Sequence, residues 1–443
     1  RSFAYNEQLQ LEAEVLSDFG VTITREYTQG SRMKGRAAGF DLNSEYGIEY
    51  GYDNKGRFNT SAWNIEGRTG TAIYRYVKNS ELVGSLSTGD GLITSYTYEP
   101  HRNLKTGIEN AYNTALISKS DNAYDALGRR TAVKNSGRAF ADDAFNTYDY
   151  NDRNELTESS RYMGAEITVI NQPITPEYRA YAYDPIGNRE EITKAADTGE
   201  YTTNALNQYD FQTIPGDGTR SFDYDADGNL ISLVENGSET VYTWNAENRL
   251  VEVAPAAAAE GDKKVSFAYD YMGRRAKKAV YAYMAGIWQV ETECFYVYDG
   301  WNLVEEITLA GGIETSRNFV WGLDLSQSLQ GAGGIGGLIA TVDSSLTYYF
   351  SYDGNGNVGQ LVNAADGAIA AAYEYDPYGN LIRADGEYAD DNVFRFSTKY
   401  HDEETGLIYY GYRYYAPELG RWVNRDPIDE LGSVLIRRVT ETR

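Results

Sequence analysis

Tyr181-Ala182-Tyr183-Asp184-Pro185-Ile186-Gly187-Asn188 decides the fold. Aromatic rings two residues apart, at Tyr181 and Tyr183, project from one face of an extended strand. Asp184 brings a short acceptor side chain to the first position of a type I turn, where it can bond the amides ahead of it. Gly187, three residues later, takes the left-handed backbone conformation that reverses the chain without a steric penalty. After such a turn the sequence is strand-like again, as in Asn229-Leu230-Ile231-Ser232-Leu233-Val234. The unit is strand, tight turn, strand.

The phrase returns along the chain. Asp53 and Gly56 follow Tyr50 and Tyr52, Asp225 and Gly228 follow Phe222 and Tyr224, and Asp270 and Gly273 follow Phe267 and Tyr269. Asp353 with Gly356 and Asp376 with Gly379 repeat it, and degenerate copies stand at 124–129, 242–249 and 296–300. Spacings are irregular but mostly about 20–30 residues, the range of a repeat architecture. The repeat also explains the composition: Tyr occurs 40 times, against 14 Phe and 6 Trp. Hydrophobic residues are 42% of the 443, and without Tyr only about a third of the chain is apolar, which is lean for one dry core of this size. Tyr has an apolar ring and a wet hydroxyl, and so suits a surface that is packed and hydrated at once.

Counts of other residues exclude several classes. Lys and Arg number 40 against 65 Asp and Glu, a net charge of -25, so nucleic acid and anionic membrane surfaces are poor partners. Two histidines, His101 and His401, and one cysteine, Cys294, leave no disulfide framework or Cys/His zinc site, and scant material for a Ser–His or Cys–His pair. Neither a cofactor nor a metal is expected. No apolar run approaches the roughly 20 residues of a membrane-spanning helix, and 14% aromatics argue against a disordered chain. The opening residues lack the features of a signal peptide and an initiating Met, so a segment of a longer chain is expected.

Three apparent motifs have plainer readings. Gly331-Ala332-Gly333-Gly334-Ile335-Gly336 matches a dinucleotide loop, but an apolar strand, Leu338 to Val342, follows where a helix is required, so a flexible glycine hairpin is expected. Asp223, Asp225 and Asp227 imitate a calcium loop, yet Val234 stands where its bidentate Glu belongs. His101 reads as a surface-turn residue, and His401 sits beside Asp402 with no nucleophile signature.

The repeated phrase resembles the YD repeat of the Rhs/YD-repeat family, which includes bacterial Rhs proteins, toxin-complex subunits and teneurins; the resemblance covers most of the chain from about residue 50 onward. The segment from Tyr201 to Tyr209 matches a further family phrase. The end of the chain is more specific: Tyr400-His401-Asp402-Glu403-Glu404-Thr405-Gly406-Leu407 leads into Arg413-Tyr414-Tyr415, then Gly420-Arg421-Trp422-Val423-Asn424-Arg425-Asp426-Pro427. These residues resemble the Rhs-associated core. The resemblance implies a hollow β-shell closed at one end by the core, and an aspartyl autoprotease that frees a C-terminal domain. Asp426 matches the first family aspartate; Asp429 and Glu430 fall where some members carry acids, and Gly432 matches a glycine. Two acids are needed, one to activate water and one to protonate the leaving amine. From Ser433 onward the pattern is lost, so Asp426 and Asp429 are expected to be at most the remnant of a half-site.

The expectation is an all-β chain: a spiral of antiparallel hairpins forming a hollow shell that need not close, with on the order of 18–22 units. Residues 1–390 would be the repeat wall, 391–432 the core motif and cap, and 433–443 a divergent tail. A β-propeller is the alternative fold, disfavoured by the irregular spacing. The function implied is a non-enzymatic shell, secreted or at a cell surface, that encapsulates or presents a C-terminal effector absent from this chain. The alternative is an adhesion module that binds cell-surface carbohydrate, with Trp301 and Trp321 as stacking platforms.

Overall fold

The computed structural model describes residues 2–16, 21–28, 32–39, 46–214, 218–343 and 346–426. Its smallest element is the turn. At Asp184 the backbone amide donates to Asn188 O at 2.8 Å, and Gly187 N donates to Asp184 O at 3.1 Å. Asp184 Oδ1 accepts from the amides of Ile186 and Asn188 at 2.9 and 2.8 Å, while Oδ2 accepts Asn188 Nδ2 at 2.7 Å. Gly187 has φ of 93°, the left-handed conformation the turn requires. Asp53, Asp225, Asp270, Asp353 and Asp376 each accept the same two backbone amides.

Asparagine builds the same turn where the phrase is degenerate or invisible. Asn151, Asn204 and Asn245 take the aspartate position, and Asn154, Asn207 and Asn248 take the glycine position with φ of 65°, 61° and 56°. Asn tolerates the left-handed region better than other side chains do. The phrase between Tyr201 and Tyr209 is thus one more turn.

Consecutive hairpins are joined in both directions. The Tyr before most of the turns donates backward: Tyr183 Oη to Leu156 O at 2.7 Å, Tyr52 Oη to Met33 O at 2.8 Å, Tyr375 Oη to Val358 O at 3.0 Å. Trp244 and Trp321 do the same through Nε1, to Leu230 O and Leu303 O at 2.7 and 2.6 Å. Arginines in the turns reach forward: Arg57 to Ser80 O at 2.8 Å, Arg153 to Asp184 O at 2.7 Å, Arg249 to Asp270 O at 3.3 Å. Phenylalanine could fill the ring's space but not make the backward bond. That accounts for the Tyr excess.

Each such Tyr also marks a bulge. Ala182 pairs with Glu191 but Tyr183 pairs with Arg189, leaving one residue over, and the same shift recurs at Tyr52, Tyr224, Tyr269, Tyr352 and Tyr375. A bulge bends its strand and adds right-handed twist, so hairpin after hairpin curves the sheet one way.

The result is a 32-stranded sheet running from Ser2–Tyr5 to Leu381–Asp385. Each strand pairs antiparallel with the one before it, and the first and last do not meet. The all-β expectation holds, and one continuous sheet rules out propeller blades. Winding brings residues 46–183 face to face with 319–378. Tyr46 Oη donates to Phe319 O at 2.9 Å, Leu323 N to Tyr74 Oη at 3.0 Å, and Ser118 Oγ to Gln360 Oε1 at 2.5 Å. Between these layers lie Ile48, Ile65, Ile117, Leu361 and Val362. Near the start of the chain, Arg25 and Arg36 converge on buried Asp299, with Arg25 Nη2 at 2.6 Å. Burial alone would raise the Asp299 carboxyl; Arg36 and Arg25 outweigh that and hold it below its ordinary value.

Candidate functional site

Four short strands, Tyr400–Asp402, Leu407–Tyr409, Tyr414–Ala416 and Arg421–Trp422, form a second sheet. This small sheet, the cap, lies against the wall, touching it from Arg189 and Tyr209 to Glu306 and again at Tyr378. Its deepest anchor is the ion pair of Asp402 Oδ2 with Arg275 Nη1 at 2.5 Å, both side chains 0% exposed. The Arg275 guanidinium sits among Tyr400 and Tyr409, each 4.6 Å from ring centre, Tyr296 at 5.0 Å and Phe267 at 5.3 Å. Lys278 supports the pair, with Nζ 3.3 Å from Asp402 Oδ1. Along the wall, Leu230 N donates to Val423 O at 2.8 Å, and Tyr269 and Tyr414 hydroxyls meet at 2.8 Å. Burial pushes the Tyr414 hydroxyl up to about 12.

Where cap and wall meet, the core motif lines a cleft of about 800 Å³. Arg413 pairs with Asp426 at 3.0 Å and stacks over Trp422 at 4.0 Å. Tyr415 Oη donates to Tyr378 O at 2.8 Å, and Trp422 packs on Tyr410 and Tyr415 at 4.8 and 5.4 Å. Gly420 has φ of 63°, and a Cβ there would stand 2.6 Å from Arg189 Nη2, so the close approach of cap to wall requires glycine. Arg421 Nη2 donates to Asn207 O at 2.6 Å and its guanidinium lies 4.3 Å from the Tyr209 ring centre. Arg425 packs its side-chain carbons over the Gly228 turn.

Of the acids of the expected half-site, Asp426 alone lies among the described residues. The Asp426 side chain is 47% exposed and bound by Arg413; Pro427, Asp429, Glu430, Gly432 and the tail from Ser433 lie outside the described residues. The other carboxylate lining the cleft is Glu155, held below its ordinary range by a hydrogen bond from Asn151 and by Arg153. Such an acid stays ionised and has no proton to give a leaving amine.

Other expectations sort on burial. Trp321 is 3% exposed, bonds Leu303 O and packs on Phe394, and Trp301 stacks on Tyr412 at 4.6 Å. The Trp321 ring is thus no free platform for a sugar, whereas Trp301 is half-buried beside the exposed Tyr412. The glycine loop before Leu338 is pinned rather than flexible: Asp324 Oδ2 accepts the amides of Ala332 and Gly334, and Gly336 N donates to Thr398 Oγ1. Burial, helped by Arg395, depresses His401 to about 4, so it is a neutral ring beside Asp402 at neutral pH. His101 lies exposed in a turn. Among the described residues there is no cluster of three metal-ligating side chains and no helix long and apolar enough to cross a membrane. Arg275 was missed as a site residue. The available signal was the doubled Arg274-Arg275, in which the first side chain binds its turn aspartate at 2.8 Å and the second reaches the cap.

The chain is similar to known proteins. Residues 333–440 match the teneurin YD-shell family model, and residues 224–260 match the RHS repeat. The chain is 29% identical over 380 residues to the tRNA3(Ser)-specific nuclease WapA of Bacillus spizizenii, covering 84% of this chain and 15% of that one. It is 25% identical over 398 residues to toxin subunit YenC1 of Yersinia entomophaga, covering 79% of this chain and 39% of the subunit. The chain therefore spans well under half the length of these relatives. A crystal structure of TcdB2-TccC3-Cdc42 aligns over 95% of this chain and 26% of that chain at 16% identity, with a TM-score of 0.45.

Proposed function

We propose, from the premise that this chain belongs to the Rhs/YD-repeat family of toxin-associated shell proteins, that it is a non-enzymatic wall and cap which encloses or presents a C-terminal effector. In this reading residues 1–390 are the wall, 391–432 the cap and 433–443 a tail, and the protein acts outside the cell or on its surface. Its mechanism is steric: a curved sheet keeps a tethered polypeptide from solvent and proteases.

One observation carries the reading. The cap is anchored to the wall by a fully buried ion pair in an aromatic cage, and Asp426 of the core motif lies at the cleft. Breaking such a pair leaves an uncompensated buried charge, so the cap fixes the point from which a downstream chain departs. Asp426, with Asp429, would be the remnant of an autoproteolytic site, and the Arg413 contact gives Asp426 a positioning role.

The test is to append a protease-sensitive reporter after Arg443 and compare its digestion with that of the free reporter. Protection in the wild type that is lost in Asp402→Ala is expected. Equal digestion in both settings would sink the enclosure. Intact mass should show no self-cleavage, and a fragment that disappears in Asp426→Asn would overturn the non-enzymatic reading.

A further inference from the structure

Most arginines among the described residues are matched with carboxylates, and two of those lining the cleft, Arg189 and Arg421, are exceptions. Arg189, Arg413, Arg421 and Arg425 line it against Glu155 and Asp426, a local positive excess in a chain of net charge -25. Arg189 is 4% exposed. It spends its charge on rings, 4.3 Å from Tyr378 and 4.7 Å from Tyr181, and its Nε has no hydrogen-bond partner. Arg421 rests on Tyr209, gives Nη2 to Asn207 O and Asn188 Oδ1, and its buried Nη1 also has none. Neither has an ion-pair partner among the described residues. They are neighbours: Gly420, next to Arg421, lies over Arg189, and Tyr209 Oη accepts Arg189 N at 3.2 Å.

A ring face attracts a guanidinium but offers no lone pair in the guanidinium plane, so N–H groups remain to be satisfied. A planar fork of such donors matches a carboxylate. We propose that the cleft is a recognition site for an acidic polypeptide segment, whose carboxylate is held by Arg421 with Arg189 behind it. The rest of the lining favours a peptide over a free oxyanion. Asn154 and Gln208, whose side-chain oxygens already accept from Arg129 and Asn204, keep their amide N–H groups for a peptide carbonyl, and Leu206, 75% exposed, gives apolar contact at the rim. A polyanion would be repelled by the remainder of the surface, whereas a segment with one or two carboxylates is not. The site requires only the docked cap and stands whether or not a cargo is enclosed.

The experiment is fluorescence anisotropy on the full chain with a labelled peptide of alternating glycine and glutamate, against the same peptide with glutamine. The glutamate peptide should bind about tenfold tighter or better, as a charge-assisted bond to a carboxylate implies, and that preference should weaken with salt. Arg421→Gln should abolish it, with the thermal midpoint showing the fold intact. Should that variant misfold, Arg421→Lys, which keeps the charge and loses the fork, should reduce the preference several-fold. Equal binding of the two peptides, or a preference that survives Arg421→Gln in folded protein, would overturn the site. Acetate or phosphate binding as tightly as the peptide would overturn its assignment to a polypeptide.

Discussion

Strands Leu338–Asp343 and Gly218–Tyr224 belong to one sheet, yet their surroundings are opposite. In the first, every residue but the last is buried, because the layer of residues 46–183 covers it. In the second, only Phe222 is buried and the end far from the turn is exposed. The turns and the bonds joining hairpins are indistinguishable: Tyr352 reaches Leu338 O in the covered region as Tyr269 reaches Leu250 O in the wall, both at 2.5 Å. Local chemistry makes the sheet everywhere. What makes a core is whichever layer lies on top, and over the wall that layer is the cap.

The largest effect should come from removing the cap's anchor. Asp402→Ala strands Arg275 in an apolar cage, and a loss of about 3–5 kcal/mol is expected in denaturant unfolding, with new proteolytic nicks beyond residue 390. An unchanged midpoint would mean the wall does not depend on the cap. Next, Leu361→Ala in the covered region should cost about 2–5 kcal/mol, and Leu233→Ala, half-buried in the wall, clearly less; equal losses would erase the contrast between the regions. Glu305 gives the comparison a pH axis. Burial, with Glu66 and Glu314 nearby, pushes it up to about 7. The folded state then keeps a proton that the unfolded chain releases near pH 4.3. Stability should accordingly fall as pH rises from about 4.5 to 7, and Glu305→Gln should remove that slope in melts at pH 5 and 8.

Four smaller substitutions probe what the regions share. Tyr269→Phe and Tyr352→Phe each delete a backward hydroxyl bond and should cost about 1–2 kcal/mol apiece by thermal melting; a much larger loss at one would show that the joint is not local. Asp225→Asn should stay within about 0.5 kcal/mol, since Asn151, Asn204 and Asn245 already build the turn, whereas Asp225→Ala should approach about 1 kcal/mol.

The turns were legible because an aspartate and a glycine three apart have one economical conformation. Asn151 with Asn154 and Asn204 with Asn207 escaped because asparagine at both positions resembles an ordinary polar loop. The aromatic pairs gave the buried face, but the direction of each hydroxyl did not follow from the phrase: Tyr52 bonds a carbonyl 19 residues back. At the site, the core phrase named Arg413, Gly420, Arg421 and Asp426, all of which line the cleft. Arg275 and Asp299 were hidden, because their partners stand 127 and up to 274 residues away and no local pattern encodes such distances.

The bonds that run both ways between neighbouring hairpins make the sheet resemble a laced seam. A pull on strand Ser2–Tyr5 would have to undo one crossing before it could load the next, so damage there should creep inward and the far lacing should hold. A sheet built in this manner would open by unravelling strand after strand, at a pace set one loop at a time.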